Sequence, residues 1–284
     1  MVDRQRIWLI NNEASGSNDA AALEACENSC RECSLDIAQR STFPAQELPS
    51  PDMLDAADIG LAVVYAGDGT INAALEHLAG WQGAVLVLPG GTMNLLYHRL
   101  FAELSVEDAL RAASTGTARR VRPSVVKSAC GTAYAGLLAG PGTTWNVVRE
   151  AMRNASPIEM AQGVQEAFAE TLQGERIRCT SPEFGTREGY PLILLSPAGE
   201  AIKADAYHAD NAAEFIDQLF ALIRRDFRAG PHDRIGEADR LTLETVDGNG
   251  FGVLLDGEPC DVDGPTEFTL AYAKVDLLAT DYDG

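Results

Sequence analysis

Two short segments constrain this chain more than any other feature. The apolar run "GLAVVYA" (60–66) breaks into Gly67-Asp68-Gly69-Thr70-Ile71-Asn72, and "GAVLVLP" (83–89) breaks into Gly90-Gly91-Thr92-Met93-Asn94. Each break contains Gly-Thr-x-Asn, and a helix-forming run follows each. A strand that ends on glycine and reopens as a helix gathers backbone N–H groups and a helix N-terminus, which together attract anions. Successive parallel strands joined by right-handed crossovers point the same way. The two junctions are therefore expected side by side at the carboxyl edge of one sheet, where open α/β sheets bind ligands.

The segments around them fit that sheet. "RIWLIN" (6–11) reads as a first strand, residues 18–33 as a helix, and "LDIAQRS" (35–41) as a second strand. Residues 70–80 and 92–100 follow the two glycine junctions as helices. "SVEDALRAAS" (105–114) is a further helix, with Ser105 as its N-cap. Alternation of this kind predicts a parallel sheet with helices on its faces.

Past residue 118 the texture changes. "RIRCTS", "YPLILLS", "RLTLETV", "FGVLLDG", "EFTLAYA" and "KVDLLAT" are short strand-like runs between Gly, Pro, Asp and Ser. Helical patterns interrupt them near 145–153, 159–172 and 211–228. The expected organisation is an α/β domain over 1–118 and a β-rich antiparallel domain over 119–284.

The residue types at the junctions suit a phosphate. Glycine lets backbone approach closely. Thr70 and Thr92 are expected as N-caps whose hydroxyls can also donate to a ligand, and Asn72 and Asn94 add neutral donors. Neither loop is a P-loop, since no lysine follows. Gly67-x-Gly69 runs on to Asn72 and follows the third strand, so it is a poor dinucleotide fingerprint. Asp68 among phosphates is repulsive unless a cation lies between them or a proton must be removed. Both conditions belong to phosphoryl transfer: Mg²⁺ held by a carboxylate and phosphates, or a base beside the acceptor hydroxyl.

Charge narrows the partners. The formal net charge is −20, which argues against non-specific nucleic-acid binding and against a permanent dock on anionic membrane. Arg111, Arg119, Arg120, Arg122 and Lys127 form one local basic stretch, which reads equally well as a solvated connector. No apolar run is long enough to span a bilayer, and the first residues turn polar too soon for a signal peptide, so the expected location is cytoplasmic. The six cysteines are sparse and do not resemble a disulfide framework. Cys26, Cys30 and Cys33 fall on one helix face, as small buried residues would. "DGNGFGVLLDGE" (247–258) nearly fits a calcium loop, but Phe251 offers no oxygen and the flanks are not helical. A hairpin turn at "DGNG" is expected instead, and Asp256-Gly257 is a good two-residue turn. His77, His98, His208 and His232 form no ligand spacing.

At these motifs the chain resembles the diacylglycerol kinase catalytic-domain family, which includes bacterial lipid kinases and sphingosine kinases. The family's G-G-D-G-T loop reads Ala66-Gly67-Asp68-Gly69-Thr70, and its P-x-G-T-x-N reads Pro89-Gly90-Gly91-Thr92-Met93-Asn94. A first-strand N-P-x-S-G is similar to Asn12-Glu13-Ala14-Ser15-Gly16, a threonine after the second strand to Thr42, and a late D-G-E to Asp256-Gly257-Glu258. The chain departs from the pattern at Ala66, Glu13, Leu95 and Arg122, and "KADAYHADN" (203–211) is its nearest approach to the family's D-D-G.

The resemblance implies an N-terminal nucleotide-binding α/β domain and a C-terminal β-sandwich-like domain. It implies transfer of the γ-phosphate of ATP, with Mg²⁺, to a hydroxyl of a diacylglycerol-like or sphingoid lipid. Asn12, Thr42, Gly67, Asp68, Gly69, Thr70, Asn72, Gly91 and Thr92 would line the nucleotide site. Asp68 would serve the metal or act as base, and Glu258 is the other candidate base. The implied partners are ATP and a lipid met transiently at a membrane surface, without nucleic acid, and a homodimer is allowed. Two alternatives stay open: a catalytically weak nucleotide- or lipid-binding protein on this fold, and a small-molecule kinase of the NAD-kinase kind.

Overall fold

The computed structural model describes residues 5–12, 20–140, 175–207 and 232–282. The helical patterns expected near 145–153, 159–172 and 211–228 lie outside the described residues, as do Glu13 to Gly16 and His208. The chain forms two compact units, one of residues 1–123 with 272–284, the other of residues 124–271.

In the first unit, β1 (Gln5–Asn11), β2 (Leu35–Thr42), β3 (Leu61–Ala66) and β4 (Ala84–Pro89) pair in parallel in the order β2-β1-β3-β4. β3 is buried along its whole length, which explains its unbroken apolar reading where a half-buried strand would alternate. The helices are α1 (Ala20–Glu32), α2 (Pro51–Ala56), α3 (Asp68–His77), α4 (Leu95–Phe101) and α5 (Val106–Ser114). Ser105 caps α5 as expected, accepting the Asp108 N–H at 3.1 Å. Ser50 does the same for α2. Cys26 and Cys30 are buried on α1, and Cys33 lies half-buried just beyond it. A thiol hydrogen bond between the first two pushes Cys26 up and pulls Cys30 down.

The strand order carries a consequence for function. The chain leaves β1 to form β2 on one side, then crosses back to form β3 on the other. The carboxyl ends of β1 and β3 therefore flank the point where the winding reverses, where α/β sheets open a crevice.

The last strand corrects the sequence reading. "KVDLLAT" was expected in the β-rich domain, but β18 (Asp276–Ala279) lies in the first unit's sheet, parallel to β4, with β5 (Arg119–Val121) antiparallel on its outer side. Leu277 and Ala279 are fully buried there. A four-residue apolar strand looks the same in either sheet, and only the free edge of β4 decides its place. Arg122 and Arg120 of the basic stretch pair with Asp276, at 2.7 and 3.5 Å.

Among the described residues, the second unit holds two six-stranded sheets. One contains β6 (Ser124–Ser128), β7 (Gly131–Ala133), β9 (Ile177–Ser181), β10 (Glu183–Phe184), β14 (Arg240–Thr245) and β17 (Thr266–Tyr272). The other contains β8 (Leu137–Gly140), β11 (Leu192–Ala198), β12 (Ala201–Tyr207), β13 (His232–Ala238), β15 (Phe251–Leu255) and β16 (Glu258–Val262). Alternate residues face inward: Leu241 and Leu243 from one sheet meet Ile193, Leu195, Phe251 and Val253 of the other in a single core. The antiparallel, sandwich-like expectation holds. The hairpin at "DGNG" does not, because β14 and β15 belong to different sheets and 247–250 is the corner between them. The cysteines, which did not read as a disulfide framework, include one bridge: Cys130 and Cys260 form a disulfide across the unit with their Cα atoms 6.0 Å apart. Their separation of 130 residues left no spacing pattern to read.

Candidate active site

The two glycine junctions meet. A Cβ at Gly91 would stand 2.6 Å from the Gly67 Cα, and one at Gly90 would stand 2.7 Å from the Ala66 nitrogen. Real Cβ atoms do not approach backbone so closely, so both positions exclude any side chain. Gly90 N–H also donates to the Ala66 carbonyl at 3.1 Å. Asp68, buried at the start of α3, accepts the Leu96 N–H of α4 at 3.3 Å through Oδ1. One carboxylate thus fastens the first loop to the helix that follows the second.

The threonines are not the caps expected of them. Gly67 is the N-cap of α3, which begins at Asp68, and Asn94 is the N-cap of α4. Thr70 therefore lies inside the first turn, buried, where its hydroxyl accepts the Asn12 amide at 2.8 Å. Thr92 is exposed in the turn before α4. Asn94 takes a left-handed conformation at φ 52° and folds back on its own loop, accepting from Gly91 N–H at 2.8 Å and donating to Gly91 O at 2.9 Å. Asparagine tolerates this conformation better than most residues because its short polar side chain bonds locally. Asn72 sits half-buried on α3.

The tips of β1 and β2 complete the cluster. Thr42 donates its hydroxyl to Asn11 Oδ1 at 3.1 Å, and its backbone N–H is taken by Gln46. Asn11 is the residue that sequence reasoning missed. It is 1% exposed, and its Nδ2 has no hydrogen-bond partner among the described residues. A buried amide that cannot donate is costly, so such an atom calls for a reason. The available signal was a polar residue closing an apolar strand directly before Asn12.

The described residues contain no cluster of three or more His, Cys, Asp or Glu able to hold a metal alone. Mg²⁺ needs less than that, since it binds through one or two carboxylates plus substrate phosphates, and Asp68 could supply one such carboxylate. The glycine backbone with no room for a Cβ and the orphaned Asn11 amide also fit a nucleotide phosphate.

Glu258 belongs to the second unit. It is exposed, opens β16, and pairs with Leu255 across a two-residue turn. The turn residues Asp256 and Gly257 have φ of 45° and 90°, as a tight hairpin of matching twist demands. Asp256 is 3% exposed and accepts three successive backbone N–H groups, from Tyr134 (2.6 Å), Ala135 (2.8 Å) and Gly136 (3.0 Å). Losing those acceptors would strand three buried donors at about 1–3 kcal/mol each. In the "KADAYHADN" segment, Asp205 is buried on β12 and paired with Arg234 of β13 at 2.5 Å.

This arrangement has relatives. Residues 6–126 match the diacylglycerol kinase catalytic domain. The diacylglycerol kinase match covers the whole glycine-loop cluster and stops just past the first unit's long segment. A crystal structure of a diacylglycerol kinase from Bacillus anthracis str. Sterne is similar to this chain at TM-score 0.61 and 13% identity, over 98% of each chain. A candidate diacylglycerol kinase from the same strain is similar at TM-score 0.60 and 14% identity, over 97% of each. At such identity the likeness speaks for the fold, and it extends over both units. No curated protein matches the chain. No helix among the described residues is long and apolar enough to cross a membrane.

Proposed function

We propose that the chain is an ATP- and Mg²⁺-dependent lipid kinase that phosphorylates a hydroxyl of a diacylglycerol-like or sphingoid lipid. The observation that carries this reading is the apposed pair of glycine loops with Asp68 buried between them. The backbone of 67–70 and 90–91, the Asn12–Thr70 pair and the Asn11–Thr42 pair would bind the nucleotide. Asp68 would face the phosphates through the metal, and bound Mg²⁺ would supply charge neutralisation. The lipid hydroxyl attacks the γ-phosphorus, the bond to the ADP oxygen breaks, and the hydroxyl proton passes to a carboxylate. Glu258 and Asp68 are the candidate acceptors. Orientation and charge stabilisation account for most of the rate in such reactions. Access to the lipid would be peripheral and transient at a cytoplasmic membrane surface.

The test is labelled ATP with dioleoylglycerol, sphingosine and NAD as separate acceptors. A labelled lipid, lost in Asp68→Asn, supports the reading. Label in NAD alone would move the chain to small-molecule kinases. The Asp68–Leu96 bond supports a second reading, a nucleotide-binding protein without transfer, because that bond gives the carboxylate a structural task of its own. ATP binding without label in any acceptor would select it.

A further inference from the structure

We infer that Asp256 is the positioning residue for Glu258, an inference that rests on the proposed role of Glu258 as proton acceptor. The hairpin that carries Glu258 is fastened on both sides. On the turn side, Asp256 is buried against the β7–β8 connection and holds three consecutive N–H groups of residues 134–136, while its own N–H donates to Gly136 O at 3.1 Å. On the strand side, Cys260 is bonded to Cys130 at the β6–β7 turn. Glu258 and Cys260 are two residues apart and so lie on one face of β16.

A two-residue turn needs no buried carboxylate to close. Here the carboxylate instead ties the turn to a segment about 120 residues away in sequence. With the turn at 256–257 and the bridge at 260 both fixed, the Cα of Glu258 has little freedom, although its side chain is exposed. A proton acceptor must stay within hydrogen-bond reach of the attacking hydroxyl, and a shift of about 1 Å can cost roughly a hundredfold in rate. Asp256 has no proton-transfer task of its own. It acts by deciding where Glu258 stands.

A double-mutant cycle on the full chain tests this, with dioleoylglycerol in mixed micelles and labelled ATP. Glu258→Gln is expected to lower kcat by about a hundredfold or more. Asp256→Asn is expected to lower kcat about tenfold to a hundredfold, with KM for ATP and lipid within about twofold of the parent. Asp256→Asn placed on Glu258→Gln should cost nothing further, because the residue it positions is already disabled. A merely structural role would lower both backgrounds equally and would overturn the inference. Should Asp256→Asn fail to bind ATP or to unfold cooperatively, Asp256→Glu, which keeps the charge and lengthens the reach, takes its place in the cycle. Parental turnover in Glu258→Gln, or no labelled lipid from the parent chain, defeats the proton-acceptor reading and this inference together. A disabled Glu258→Gln beside an unaffected Asp256→Asn defeats this inference alone.

Discussion

The two Gly-Thr-x-Asn loops are near twins as text and differ in almost every structural detail. In the first, the helix begins at Asp68, so Thr70 and Asn72 are helical residues. In the second, the helix waits until Leu95, so Thr92 and Asn94 belong to the loop. The difference begins with what precedes each motif. Gly67 is extended, at φ −77° and ψ 164°, and caps a helix at once. Gly90 and Gly91 are committed to lying against Ala66 and Gly67, and an additional turn closed by Asn94 is needed before a helix can start. One loop is the floor and the other is laid upon it. Repeated letters need not carry repeated roles.

The severest challenge to that contrast is Gly91→Ala. Its methyl group has backbone on the far side, which cannot yield as a side-chain tip could. We expect a loss of about 2–3 kcal/mol in urea unfolding and no measurable lipid phosphorylation. Parental stability would mean the loops do not touch. Next comes Asp68→Asn, which keeps a side-chain oxygen for Leu96 N–H while removing the charge. Turnover should fall about a hundredfold or more while stability changes by less than about 1 kcal/mol. A large stability loss with normal turnover would assign Asp68 to structure.

Smaller effects sharpen the contrast. Asn94→Ala forfeits both bonds to Gly91 and leaves an alanine at positive φ, at a cost of about 1–2 kcal/mol. Asn94→Gly should recover part of this, and equal losses in the two variants would count against the left-handed geometry. Thr70→Val removes the hydroxyl that accepts from the Asn12 amide and should cost about 1 kcal/mol. Thr92→Val at the exposed counterpart should stay within about 0.5 kcal/mol. Matching losses at the two threonines would restore the twins that the structure separates.

Much of the first unit was legible because its signals are local. A strand buried on both faces reads as a continuous apolar run, and Ser105 three residues before Asp108 reads as a cap. Short apolar runs bounded by Gly, Pro, Asp and Ser likewise announced β11, β14 and β15. What stayed hidden joins residues distant in sequence. The disulfide spans 130 residues, and the Asp256 bonds to 134–136 span at least 120. Asn11 looked like the last letter of a strand until Thr42 was placed beside it.

By itself, the sequence determined the kinds of element, the place of the glycines and the one acid set among them, since these follow from backbone sterics and side-chain periodicity within a few residues. Only the tertiary structure decided that Gly91 lies on Gly67, that β18 joins the first sheet, and that Asp256 grips 134–136. Those outcomes depend on which surfaces and hydrogen-bonding groups remain unsatisfied once the neighbouring elements are in place, and no local stretch of chain records that.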